Sequence, residues 1–78
     1  MASRSGIRVS LGRLSEDVVE LNIKRGGTLR EALLKAEYEE NGLEELAKGV
    51  RVNGRPAKLN QKLRAGDFIL ILSNVQGG

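Results

Sequence analysis

The sequence predicts an α+β layer pair, a four- to five-stranded mixed sheet covered on one face by one main helix. Three observations carry that expectation. Residues 7–23 alternate apolar and polar with a period of two, residues 28–36 repeat at helical spacing, and Phe68-Ile-Leu-Ile-Leu72 is an unbroken apolar run. Strands on both sides of a single helix mostly form one sheet with that helix packed on it.

In the first segment Ile7, Val9 and Leu11 alternate with Arg8, Ser10 and Gly12. After a Gly-Arg-Leu-Ser-Glu connection, Val19, Leu21 and Ile23 alternate with Val18, Glu20 and Asn22. Two half-buried strands joined as a hairpin follow. Gly26-Gly27 ends the second strand, and Thr28-Leu-Arg-Glu31 reads as a capping box, in which the Thr28 hydroxyl accepts from the Glu31 amide and the Glu31 carboxylate reaches back. Leu29, Ala32, Leu33 and Ala36 then give one apolar helix face. Asn41-Gly42 is the expected stop, because both residues tolerate the left-handed conformation, and Leu43 to Lys48 is expected to add one further turn.

Val50 and Val52 mark a short strand running into Asn53-Gly54, a tight-turn signal, with a return strand expected around Ala57 to Leu59. Pro56 cannot donate to a ladder and favours an edge. Leu63-Arg-Ala-Gly66-Asp67 turns the chain into the last strand, Phe68 to Leu72, whose apolar character places it mid-sheet. One helix covers only one face of a sheet. With Ile69 and Ile71 on one side and Phe68, Leu70 and Leu72 on the other, one set must therefore face outward, and an outward apolar patch on a small domain marks a protein contact.

Size and composition exclude much. A chain of 78 residues is one small domain that buries about 60 to 65% of its unfolded surface, with no room for an enclosed active site. Cysteine and histidine are both absent, which removes disulfides, thiolate nucleophiles, imidazole bases and the usual zinc ligands. No catalytic and no metal-binding residues are expected. Glu39-Glu40 and Glu44-Glu45 read as a solvated helix face, since neighbours on a helix point apart. With no membrane-length apolar run and no signal-peptide core at the N-terminus, the expected location is cytoplasmic.

The net charge of +3 is unevenly spread. From Glu31 to Glu45 there are six acids and one lysine, whereas from Lys48 to Arg64 there are six basic residues and no acid. Such a stripe suits nucleic acid or an acidic protein. Only Tyr38 and Phe68 are aromatic, which leaves little on which to stack bases and argues against nucleic acid as a partner.

Val52-Asn53-Gly54, Leu63, Gly66-Asp67, an apolar strand and then Val75-Gln76-Gly77-Gly78 as the end of the chain resemble the β-grasp sulfur carriers. These are the small subunit of molybdopterin synthase and the thiamine-biosynthesis sulfur carrier (MoaD and ThiS), with a more distant likeness to ubiquitin. Asp67 lies fourteen residues after Asn53 and eleven before Gly78, a spacing typical of that family, and the match covers about the last third of the chain. Ser73-Asn74 stand where molybdopterin-type carriers often have prolines, which leaves the pathway open.

The resemblance implies a ubiquitin-like β-grasp fold over residues 7–73, a flexible leader over 1–6 and a flexible tail over 74–78. It also implies a carrier, not an enzyme. The Gly78 carboxylate would be adenylated with ATP by an E1-like adenylating enzyme. It would then become a thiocarboxylate and pass sulfur to a biosynthetic enzyme, or be joined to lysines of a target protein as a modifier. No cofactor would be bound permanently, ATP being used by the partner. By the same likeness Val75, Gln76 and Gly77 form the tail, Phe68, Leu70 and Leu72 dock on the partner, and Arg8 and Arg51 form a basic rim. A further reading comes from the stretch Gly49 to Ile69, which also resembles the S4 RNA-binding module, although that module is led by two helices.

Overall fold

The computed structural model describes residues 6–13 and 16–72. Five strands, β1 (Gly6–Arg13), β2 (Val19–Lys24), β3 (Val50–Val52), β4 (Arg55–Pro56) and β5 (Phe68–Ile71), form one sheet in the order β2-β1-β5-β3-β4. β1 runs parallel to β5, and the other neighbours are antiparallel. The last strand is central, as its composition predicts. The S4-like reading falls here, because Gly6–Arg13 and Val19–Lys24 are strands where that module needs helices.

Two helices, α1 (Leu29–Lys35) and α2 (Leu43–Ala47), cover one face of the sheet. Leu29, Ala32 and Leu33 of α1 and Leu43 and Leu46 of α2 close over Val9, Leu11, Val50, Val52, Ile69 and Ile71. Burying each large aliphatic side chain is worth about 1.5 to 3 kcal/mol, so this single cluster supplies most of the drive to fold. Gly6 is already in β1, one residue earlier than expected, while residues 1–5, 14–15 and 73–78 are outside the described part.

α1 begins as expected, with Thr28 extended and its hydroxyl accepting from the Glu31 amide at 3.4 Å. The reciprocal half of the capping box is replaced. The Glu31 carboxylate instead pairs with Lys24 at 3.7 Å, which ties the helix start to β2. Two amides at the start of α1 are satisfied by a distant segment, Leu29 donating to the Gln61 carbonyl at 2.9 Å and Arg30 to the Leu59 carbonyl at 3.0 Å. That arrangement explains why the return strand is not Ala57 to Leu59. Only Arg55–Pro56 pair with β3, and the following residues leave the sheet to serve the helix terminus.

α1 also ends early, well before Asn41-Gly42. Glu37 takes φ 74°, its amide donates to Leu34, and the Tyr38 amide donates to Leu33, which is the paired-bond ending usually built with glycine in the left-handed position. A 3-10 turn at Glu40–Gly42 then leads into α2, the further helical turn expected from sequence.

Candidate functional site

The candidate site starts from the alternation of β5. Ile69 and Ile71 are 0% and 4% exposed and point into the core, whereas Phe68 and Leu70 are half-buried and Leu72 is 37% exposed on the open face. Register sets their neighbours on that face. Phe68 stands beside Ser10, and Leu70 lies between Gly12 on one side and Arg51 on the other.

Gly12 shapes the surface by what it lacks. A Cβ built there would come 3.1 Å from the Phe68 ring and 3.4 Å from a Val18 methyl. The ring therefore lies over the bare β1 backbone and buries Gly12, reaching towards Val18, itself 54% exposed just before β2. An aromatic ring over a strand glycine restores the contact that the missing side chain would have made. The apolar patch is thus wider than sequence suggests, running from Val18 across Phe68 to Leu70 and Leu72. Gly12 and Val18 were missed as site residues, and the available signal was a glycine at an outward position inside an otherwise regular strand.

The two rim arginines differ. Arg51 is exposed directly beside Leu70 and has no ion-pair partner among the described residues. Arg8 is also exposed, but pairs with Glu20 across the β1–β2 hairpin at 3.6 Å, which offsets part of its charge. Val75, Gln76, Gly77 and Gly78 lie outside the described residues, so the tail itself has no geometry to report.

The Asn53, Gly66 and Asp67 motif acquires a mechanical meaning. Asn53 and Gly54 take φ 56° and 85°, the tight turn expected from sequence, and Gly66 takes φ 89°. The Asn53 side-chain amide donates to the Asp67 carboxylate at 2.9 Å, and the Arg64 backbone amide donates to its other oxygen at 2.8 Å. The Phe68 amide in turn donates to the Asn53 side-chain oxygen at 3.0 Å. This clasp fixes where β5 begins, and so which of its side chains face outward, because a one-residue slip would exchange the two faces.

Among the described residues no group of three or more carboxylate, histidine or cysteine side chains could hold a metal, and no helix is long and apolar enough to cross a membrane. The pKa of Tyr38 is raised, mainly by burial, with Arg13 lowering it and Glu16 raising it. The Arg13 guanidinium sits 5.2 Å from the Tyr38 ring centre, a cation over an aromatic face. The paired acids at 39–40 and 44–45 are exposed, as a solvated face should be.

No family model matches the chain, and no curated protein matches it. Among solved structures it is similar to SAMP1 from Haloferax volcanii, with a TM-score of 0.65 and 19% identity over 91% of this chain and 99% of that one. At that identity the likeness concerns the backbone arrangement. The chain has the ubiquitin-like β-grasp fold, and the open face of its last strand carries the apolar patch.

Proposed function

We propose that this chain is a small carrier protein whose Gly78 carboxylate is activated by a partner enzyme that docks on the outward face of β5. The observation that carries the reading is the outward patch of Phe68 and Leu70 on the central strand, with Leu72 just beyond it, immediately ahead of residues 73–78. Six residues separate Leu72 from the carboxylate, a reach of at most about 20 Å when extended. A partner seated on the patch could then receive the tail in its own nucleotide site. Glycine at 77 and 78 suits that entry, since neither residue has a Cβ to obstruct it.

In the proposed reaction a carboxylate oxygen of Gly78 attacks the α-phosphate of ATP and releases pyrophosphate, giving an acyl-adenylate. A sulfide nucleophile then attacks the acyl carbon and displaces AMP, leaving a thiocarboxylate as the donor of sulfur. A lysine amine attacking the same carbon would displace AMP equally and leave an amide, which is the modifier reading. ATP and the adenylating site belong to the partner. Arg51 would steer an acidic partner rim towards Leu70, while Arg8 would contribute less because Glu20 already engages it.

The test is to incubate the full chain with adenylating enzymes of its host, ATP and sulfide, and to weigh the product. A gain equal to one sulfur replacing one oxygen is the expected result, and lysine adducts would transfer the proposal to the modifier. A chain lacking Gly77 and Gly78 that keeps full biological activity would end both readings.

A further inference from the structure

The basic stripe of the sequence has a shape that the carrier reading does not use. Arg55 of β4, Lys62 and Arg64 converge with Asn53, Gln61 and Asp67 around a cleft of about 620 Å³. All three cations are exposed, and none takes part in an ion pair among the described residues. Asp67, the one acid in the lining, already accepts a hydrogen bond at each oxygen within the clasp, so it does not draw the cations together. The cleft also sits where β5 begins, opposite the end from which the tail departs.

We infer that this cleft is a binding site for the phosphodiester backbone of a nucleic-acid strand. An acidic peptide would need apolar or backbone-pairing contacts to gain affinity, and apart from Val52 and Pro56 the lining is polar or charged. A phosphate chain needs neither, because its binding is driven by release of condensed counterions as cations replace them. Arginine adds a planar fork that matches two phosphate oxygens at once. Neither Tyr38 nor Phe68 lines the cleft, so bases would not stack there, and contact through the phosphates alone predicts binding independent of sequence. The scarcity of aromatics argues against a stacking platform, and this site requires none. A sequence pI of about 9.7 fits the same footprint.

The experiment is a fluorescence-anisotropy titration of the full chain against a labelled oligouridine of about 12 nucleotides. Three phosphate contacts to a single strand predict a slope near −2 in log K against log salt, or about 20-fold weaker binding at roughly 200 mM than at 50 mM salt. Combined Arg55→Gln, Lys62→Gln and Arg64→Gln should weaken binding at least about tenfold at low salt, whereas Arg13→Gln, Lys35→Gln and Lys48→Gln, with the same charge change towards the other end of β5, should leave it within about twofold. Oligocytidine should bind as oligouridine does. Equal losses in both triple variants would make net charge the cause and overturn the site. Displacement of the strand by polyglutamate at equal charge concentration would mark a protein-docking cleft, and displacement by tripolyphosphate at equal molar concentration a small-anion pocket. Absence of binding at low salt would also refute the inference.

Discussion

The two faces of β5 are made of the same kind of residue and have opposite employment. Ile69 and Ile71 vanish into the core beneath α1 and α2, while Phe68 and Leu70 lie on the sheet's bare side, with Leu72 just beyond the strand. The difference shows that hydrophobicity alone does not assign a residue to stability. What assigns it is the register, and the register is held by the clasp between Asn53 and Asp67. Inner residues should report on folding and outer ones on recognition.

The largest expected effect falls on the inner face. Ile69→Ala removes a fully buried side chain from the middle of the cluster and should cost about 3 kcal/mol in equilibrium denaturation, with any loss of docking following only from unfolding. Asn53→Ala removes two hydrogen bonds and leaves a residue without a polar side chain at positive φ, so it should cost about 2 kcal/mol and slow refolding of the β5 junction. A neutral result there would break the link between the clasp and the choice of face.

On the outer face the order reverses. Leu70→Ala should change stability by about 1 kcal/mol or less, yet lower kcat/KM for adenylation by the partner about tenfold, the scale of a single interface anchor. If both faces lose stability equally and neither loses docking selectively, the division of labour is wrong. Smallest and most local is Gly12→Ala. It should push the Phe68 ring aside by a few tenths of an ångström, seen as loss of the ring-current shift on the Val18 methyls in NMR spectra, with stability altered by less than about 1 kcal/mol.

Much of this was legible along the chain, for reasons that are local. The Asn53-Gly54 turn, the Thr28 cap and the two-sided apolar strand each depend on a few neighbouring residues, and the family spacing from Asn53 to Gly78 is a property of linear sequence. The end of α1 was hidden because Glu37 occupies a position where glycine is the usual marker. The return strand was misplaced because Leu59 and Gln61 give their carbonyls to α1, a partner outside any local window. The meeting of Phe68 with Gly12 and Val18, and the convergence of Arg55, Lys62 and Arg64, depend on strands being brought side by side. Composition announced the cations, but nothing in their order announced a cleft.

The parallel pairing of Ser10 with Phe68 and Leu11 with Ile69 has a consequence for how the molecule comes into being. The β1–β2 hairpin with α1, and the β3–β4 hairpin, can each begin to form from nearby residues, but within the sheet only β5 joins them, and it must close a loop spanning most of the chain. Such closure is the slow, entropy-limited step of folding. A nascent or truncated chain that stops before Phe68 lacks both the strand that joins the two parts of the sheet and the patch. Under the proposed docking, the surface to be recognised would thus report that the sheet has closed, since the strand that zips the sheet is the same one that displays it.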